Sequence, residues 1–327
     1  MENPVPSEPI RPTPADEPFG LQVLNPTGLD KPAFLLNVPF SIAADVPNNV
    51  WMEELDEPAR KVDVKKAIHQ FLQLYHFIAA EAVVYLLPTP KIPGLQDLVY
   101  CANIGVVLEH LPGKNTMVLS NFTTRVRAPE AEIGRAFFSE MGYEVVMPPQ
   151  HFEGEAELKH LHDNIYAGGY GIRSERDAYD WMAERFDMHI ICLEETDPHL
   201  YHLDCTVFPL TREDTIACTE MYTREEVAAL EKVTNIIDVS ADDCYSGVCN
   251  SVRLGNSLLN ASHIFELKAA TTDYEYEIRK NRTLEDIATR FGFEVSFFNL
   301  SEFLKSGALL SCMAMHLNRK SYDLVLI

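Results

Sequence analysis

The stretch Asp63-Val-Lys-Lys-Ala-Ile-His-Gln-Phe-Leu-Gln-Leu-Tyr-His-Phe-Ile-Ala-Ala80 leads, two residues later, into Val83-Val-Tyr-Leu-Leu87-Pro88. In the first part Ile68, Phe71, Leu72, Tyr75 and Ile78 recur at helical spacing, which predicts a helix with one apolar stripe. Asp63 stands where a carboxylate would accept from the unpaired N–H groups of the first turn. The second part is a short apolar run ended by proline, which predicts a buried strand.

The same rhythm extends outward in both directions. Residues 98–108 and 117–119 read as strands, 130–141 as a helix and 143–147 as a strand. Further on, 176–186 is helical, 189–193, 201–208 and 215–219 are strand-like, and 224–233 is helical again. A helix over 282–291, a strand over 294–298 and a last strand over 322–327 complete the pattern. Strands and helices alternating from start to finish predict an α/β architecture built of small repeated units. Residues 1–20 hold six prolines among several acids and predict a flexible tail, with one catalytic domain over 21–327.

The chain has 327 residues, enough to bury a core without disulfide or metal staples. Its formal net charge of −22 repels phosphate, so neither nucleic acid nor an anionic membrane is an expected partner. A cationic small molecule is, and a homo-oligomer is allowed. Seven scattered cysteines, with no CxxC pair, fit reduced thiols in a cytoplasmic protein. No apolar run is long enough to span a bilayer, and no basic stretch followed by an apolar core opens the chain.

Four segments place polar groups inside apolar stretches, where they cost free energy unless satisfied. Ser306-Gly-Ala-Leu-Leu-Ser-Cys312-Met puts small residues before a cysteine that could be a nucleophile, although most lone cysteines are core residues. Tyr201-His-Leu-Asp204 would, as a strand, project His202 and Asp204 from one face as an acid–base pair or a structural hydrogen bond. Phe152-Glu153-Gly-Glu155-Ala-Glu157 gathers carboxylates that could hold a cation or line a solvated turn. His160 and His162 beyond it lack a matching ligand cluster, so no metal is expected. Asn48-Asn49 and Cys101-Ala-Asn103 are turn formers or substrate contacts.

In this order, the segments Phe152-Glu-Gly, Gly168-Gly-Tyr-Gly-Ile-Arg173-Ser, His202-Leu-Asp204 and Leu310-Ser-Cys312-Met resemble the guanidino-group modifying enzymes, the pentein or amidinotransferase superfamily. The resemblance covers residues 33–327. It implies a five-bladed ββαβ α/β-propeller with the site in its central channel, and no cofactor. It also implies roles. Cys312 matches the nucleophile, His202 the acid–base histidine, and Glu153 the carboxylate that grips the guanidinium. Asp204 would orient His202. Arg127 and Arg173 would bind a substrate carboxylate, and Asp163 would be a further polar site residue.

The thiolate suits this chemistry because it is strongly nucleophilic near neutral pH, and a bound guanidinium cation itself favours the ionised thiol. Asn103 stands where many deiminases carry an aspartate, and Asn49 lies in a second segment resembling the arginine dihydrolases. The resemblance therefore implies hydrolysis of arginine to ornithine, carbon dioxide and two ammonia. Arginine deimination, amidino transfer to an amine, and a non-catalytic binding pentein are the alternatives. The Glu155-Ala-Glu157 continuation departs from the glycine- and aspartate-rich one common in the family, which leaves the substrate open.

Overall fold

The structure, a computed structural model, describes residues 25–323. The expected tail over 1–20 lies outside the described residues, as do residues 324–327 of the expected last strand. Tyr322, which was to open that strand, closes a 3-10 turn over Lys320–Tyr322 instead.

The strands form five three-stranded sheets. Four use consecutive chain: an antiparallel pair, a helix, then a strand returning parallel to the middle one. Blade 2 runs Gly105–Val107, Thr116–Leu119, helix Ala128–Glu140 and Glu144–Val146. Blade 3 runs Leu158–His162, Ile165–Tyr170, helix Arg176–Phe186 and His189–Glu194. Blade 4 follows with Val207–Pro209, Asp214–Ala217, helix Arg224–Leu230 and Asn235–Asp238. Blade 5 has Val252–Leu254, Ser257–Ala261, helix Thr272–Phe291 and Glu294–Phe298. Blade 1 joins the two ends of the chain. Ala33–Asn37 pairs with Val83–Leu87 in parallel, after helix Val64–Glu81, and with Met315–His316 antiparallel. This is the expected ββαβ unit, five times over.

Period-2 alternation makes each blade a partner to both neighbours. In blade 1, Phe34 and Leu36 pack with Leu259 and Phe298 of blade 5, while Ala33 and Leu35 pack with Met117 and Phe138 of blade 2. Val106 and Val118 join blade 2 to Leu158 and Tyr166 of blade 3, and Ala167 and Leu193 join blade 3 to Val207 and Ala217 of blade 4. Phe208 and Ile216 meet Leu258 and Leu284, closing the ring between blades 4 and 5. Phe34 is fully buried, so truncating it to alanine costs about 3–5 kcal/mol and loosens the joint between the chain ends.

Several sequence expectations shift. The first helix buries Ala67, Gln70, Phe71, Leu74 and Ile78. Leu72 is 40% exposed, so the stripe is rotated from the expected one. Gln70 turns inward because its amide donates to Asn299 and Ser301. Val83–Leu87 is an edge strand with Leu86 exposed rather than a buried one. The helix expected from 282 starts at Thr272, capped by Thr271. Its first turns bury the ion pair Glu277–Lys280 at 2.6 Å, which apolar periodicity cannot register. The strands expected to start at 98 and 201 are turns there. Cys101–Asn103 and Leu203–Cys205 are 3-10 turns that precede the first strands of blades 2 and 4.

Short turns of this kind, the 3-10 turn Gly154–Ala156 and the single α-helical turn Leu310–Met313 among them, gather the buried polar residues at one end of the ring. Gly154 has φ +69°, and a Cβ there would lie 2.6 Å from the Ala102 carbonyl and 2.8 Å from the Gly105 nitrogen. The turns of neighbouring blades thus meet backbone to backbone. Among the described residues no helix is long and apolar enough to cross a membrane.

Candidate active site

Each blade-leading turn delivers a polar side chain toward the same end of the ring: Asn103, Glu153, His202 with Asp204, Asn250, and Cys312. Cys312 is 6% exposed. Its thiol donates to Asp204 Oδ2 at 3.4 Å and receives the Asn250 amide at 3.7 Å. Ser311 Oγ also donates to Asp204 Oδ2, at 2.5 Å, and its N–H donates to Asn250 Oδ1 at 2.9 Å. His202 Nε2 lies 2.8 Å from Glu153 Oε2.

A cavity of about 20 Å³ joins Cys312 and His202 to Asn49, Asp97 and Asn103, with Arg127, Arg173 and Tyr201 on its wall. That is room for about one water. A larger substrate therefore requires the walls to part. A second cavity of about 800 Å³ shares Tyr201, His202 and Cys312 with it and opens past Trp51 and Tyr245. Cys312 can thus be approached from a roomy cleft while facing a tight polar one.

Burial pushes the Cys312 thiol up to about 12, and the Asp204 carboxylate beside it adds to the effect. The resting group is a thiol. Burial would raise Glu153 too, but His202, Arg173 and Arg127 outweigh it and hold the carboxyl at about 2. Burial lowers His202 below the usual imidazole range although Glu153 opposes the shift. The dyad at rest is therefore a carboxylate and a neutral imidazole. Burial raises Asp97, with Arg127 opposing. Burial also lifts Glu130 to about 7 despite its contact with Arg127.

The site residues expected from sequence divide into three groups. Cys312, His202, Asn49, Asn103, Arg127 and Arg173 line one cavity. Asn103 is 1% exposed and its Nδ2 has no partner among the described residues, which leaves a donor free for a ligand. Asn49 is also structural, since its Oδ1 accepts from Met52 N at 3.0 Å and its amide donates to the Ser306 carbonyl. Arg127 is largely engaged by Glu130, with Nη2 to Oε2 at 2.7 Å. Arg173 Nη2 donates to the Asn48 carbonyl at 2.6 Å, and its guanidinium lies 4.8 Å over the Tyr201 ring.

Glu153 and Asp204 do not take their expected places: Glu153 contacts His202, and Asp204 contacts Cys312 and Ser311. Glu153 is fully buried behind His202, held by Thr123 N at 3.1 Å and by Arg173 at 3.6 Å, and does not line the small cavity. It orients the imidazole. Asp204 directs its hydrogen bonds to Cys312 and Ser311 instead of His202. The reason is local. Leu203–Cys205 is a 3-10 turn, so His202 and Asp204 do not share a strand face.

Asp163 falls elsewhere. Its side chain is 86% exposed beside His162, on a separate cavity of about 820 Å³ lined also by Lys114 and Arg212. His160 there contacts the Asp163 carbonyl and stacks on Tyr166. Among the described residues no three such side chains are grouped to hold a metal ion.

Asp97, Tyr201 and Asn250 escaped sequence reasoning. Asp97 sits in the run Leu95-Gln-Asp-Leu-Val, indistinguishable from a surface turn, yet is 3% exposed and accepts from Asn48 Nδ2 at 2.7 Å. Asn250 follows the paired thiols Cys244 and Cys249, and only the folded chain brings it to residue 312.

Comparison with known proteins places the chain beside enzymes of the same fold. A family profile described as N,N dimethylarginine dimethylhydrolase, eukaryotic, matches residues 38–319. The bifunctional arginine dihydrolase/ornithine cyclodeaminase AgrE of a Nostoc species is 28% identical over 296 residues, 89% of this chain and 38% of that one. The chain thus spans well under half the length of that relative. The N(G),N(G)-dimethylarginine dimethylaminohydrolase of Mycobacterium tuberculosis is 26% identical, with 87% and 85% of the two chains covered. The N-terminal domain of ArgZ, a cyanobacterial arginine dihydrolase, superposes with a TM-score of 0.75 at 26% identity, over 88% of this chain and 98% of that domain. That domain has been solved with product, with substrate in a cysteine-to-serine variant, and covalently bound to a reaction intermediate in an asparagine-to-serine variant.

Proposed function

The chain belongs to the N,N-dimethylarginine dimethylhydrolase family, and from that premise we propose that it hydrolyses free arginine twice, to ornithine, carbon dioxide and two ammonia. The observation that carries this reading is the unpartnered Asn103 amide in the cavity that also holds Cys312, His202 and two arginines. A carboxylate at that position would accept from a guanidinium but could not donate to the ureido oxygen of citrulline. The Asn103 amide can donate to it, which favours keeping citrulline for a second round.

The bound cation lowers the Cys312 pKa by its charge, offsetting Asp204 and burial. The thiol proton passes to the neutral His202 and the thiolate attacks the guanidinium carbon. The resulting imidazolium gives that proton to the departing nitrogen, ammonia leaves, and a thiouronium remains on Cys312. His202 then takes a proton from water. The water oxygen bonds to carbon and the C–S bond breaks. The same sequence on the ureido group releases the second ammonia and a carbamate that loses carbon dioxide. Arg173 and Arg127 suit the substrate α-carboxylate, and Asp97 suits the α-ammonium.

A second reading is Nω-methylated arginine. The 800 Å³ cleft beside Cys312 offers room for substituents on the guanidinium, and a dimethylarginine hydrolase is among the relatives. Mass spectrometry of the products from arginine and from dimethylarginine, beside Cys312→Ala, separates the two. Two ammonia and one ornithine per arginine support the first reading. Citrulline as the end product overturns it, and methylamines released from the methylated substrate alone establish the second.

A further inference from the structure

Glu157 and Glu195 meet under the His202 turn. Glu157 is fully buried and Glu195 is 6% exposed. A Cβ placed on Gly169 would stand 2.8 Å from Oε2 of Glu157 and 2.8 Å from Oε1 of Glu195, so the carboxyls crowd one spot. Neither Glu195 oxygen has a hydrogen-bond partner among the described residues. Two buried carboxylates have no donor between them, so a charge on both would go unsatisfied, whereas a proton on one supplies the missing donor.

The pair is tied to the site through Glu157. Its Oε2 accepts from Leu203 N at 3.1 Å, between His202 and Asp204. Its Oε1 accepts from Ser174 Oγ at 3.2 Å, and that oxygen accepts from Glu153 N at 3.2 Å. One carboxyl therefore links the segments bearing His202, Asp204, Arg173 and Glu153. The titratable groups facing the pair are Glu153, Asp204 and Cys205, with the phenols of Tyr179 and Tyr222 beyond.

We propose that Glu157 and Glu195 share one proton and act as a positioning unit, which holds the His202–Asp204 turn against the Glu153 and Arg173 segments and releases it when that proton is lost. Burial pushes Glu157 up to about 8 and Glu195 well above the carboxylate range, so the pair keeps at least one proton through neutral pH. The folded protein then binds more protons than the unfolded chain from about pH 4.5 to about 8. Stability from this source falls as pH rises through that window.

Glu195→Gln tests the idea, because an amide N–H replaces the shared proton permanently. The melting temperature of E195Q relative to wild type should rise between pH 5.5 and 8.5, a readout independent of any substrate. The rate arm rests on the proposed arginine turnover. There the alkaline limb of kcat/KM should move up by about one pH unit or more, while Glu195→Ala should cut kcat about tenfold and be rescued by glutamine. If E195Q does not fold, Glu157→Gln is melted over the same pH range with the same expectation. Parallel pH dependence of melting in variant and wild type overturns the proposal, as does equal damage from alanine and glutamine. Should wild type leave arginine untouched, the arginine reading fails and the melting arm alone decides this one.

Discussion

Cys312 Sγ and Asp204 Oδ2 lie 3.4 Å apart, the thiol donating to the carboxylate. A negative neighbour disfavours the thiolate, so the nucleophile is masked until a cation arrives to compensate. The arrangement protects a buried thiol from adventitious oxidants and links its activation to binding of the proper charge.

Replacing Asp204 by asparagine removes that negative charge. The thiol pKa should fall from its position of about 12, and iodoacetamide should alkylate Cys312 faster at pH 8 in D204N than in wild type. Turnover should slow nonetheless, because a neutral amide oxygen accepts more weakly from Ser311 and Cys312 than the carboxylate does. Alkylation followed by peptide mass spectrometry gives the answer. Slower alkylation in the variant would contradict the masking role.

Glu153 holds His202 in place and raises its basicity against burial. His202→Ala should lower kcat/KM by about 10²–10⁴-fold, as for a lost general acid–base group. Glu153→Gln removes the charge that favours imidazolium, so the His202 pKa drops and the acid limb of the pH–rate profile moves to lower pH. An acid limb that stays in place would show that His202 is not the group titrating there.

Asn103→Asp should convert the product pattern. A carboxylate favours the guanidinium over the neutral ureido group, so ammonia released per arginine should fall from two toward one and citrulline should accumulate. Coupled ammonia and amino-acid quantification measures the ratio. Two ammonia from the variant would remove Asn103 from the account of the second hydrolysis.

His160 and His316 are buried neutral, pushed down to about 3 and about 4 by burial and by Arg319. The unfolded chain binds protons at these histidines near pH 6.5 and the folded one does not. Stability from this source is therefore lost as pH falls from about 6.5 toward 4. His160→Phe keeps the stack on Tyr166 and removes the titration. Its melting temperature should drop less than that of wild type between pH 7 and 4.5, by differential scanning fluorimetry. An identical drop would place the acid sensitivity elsewhere.

Read along the chain, periodicity carries the blade plan and local chemistry carries Cys312 and His202. The helix over Arg176–Phe186 and the strand over Glu294–Phe298 have the predicted bounds, because both are amphipathic or apolar over their whole length. Such patterns are properties of consecutive residues. Partnership across the hub is not. Glu153 reaches His202, Asp204 reaches Cys312 and Asn250 reaches Ser311 over separations of 49, 108 and 61 residues. The 3-10 turn at Leu203–Cys205 turned an expected strand face into two diverging side chains, so Glu153 rather than Asp204 partners His202. Asp97 and the Glu157–Glu195 pair look like solvated acids in the sequence, since an acidic side chain carries no local mark of burial. Consecutive residues alone carry the repeating ββαβ unit and the small-residue motif around Cys312. Only the closing of five blades on one another decided which carboxylates are desolvated and what each one holds, because burial and contact are set by residues far apart in the chain.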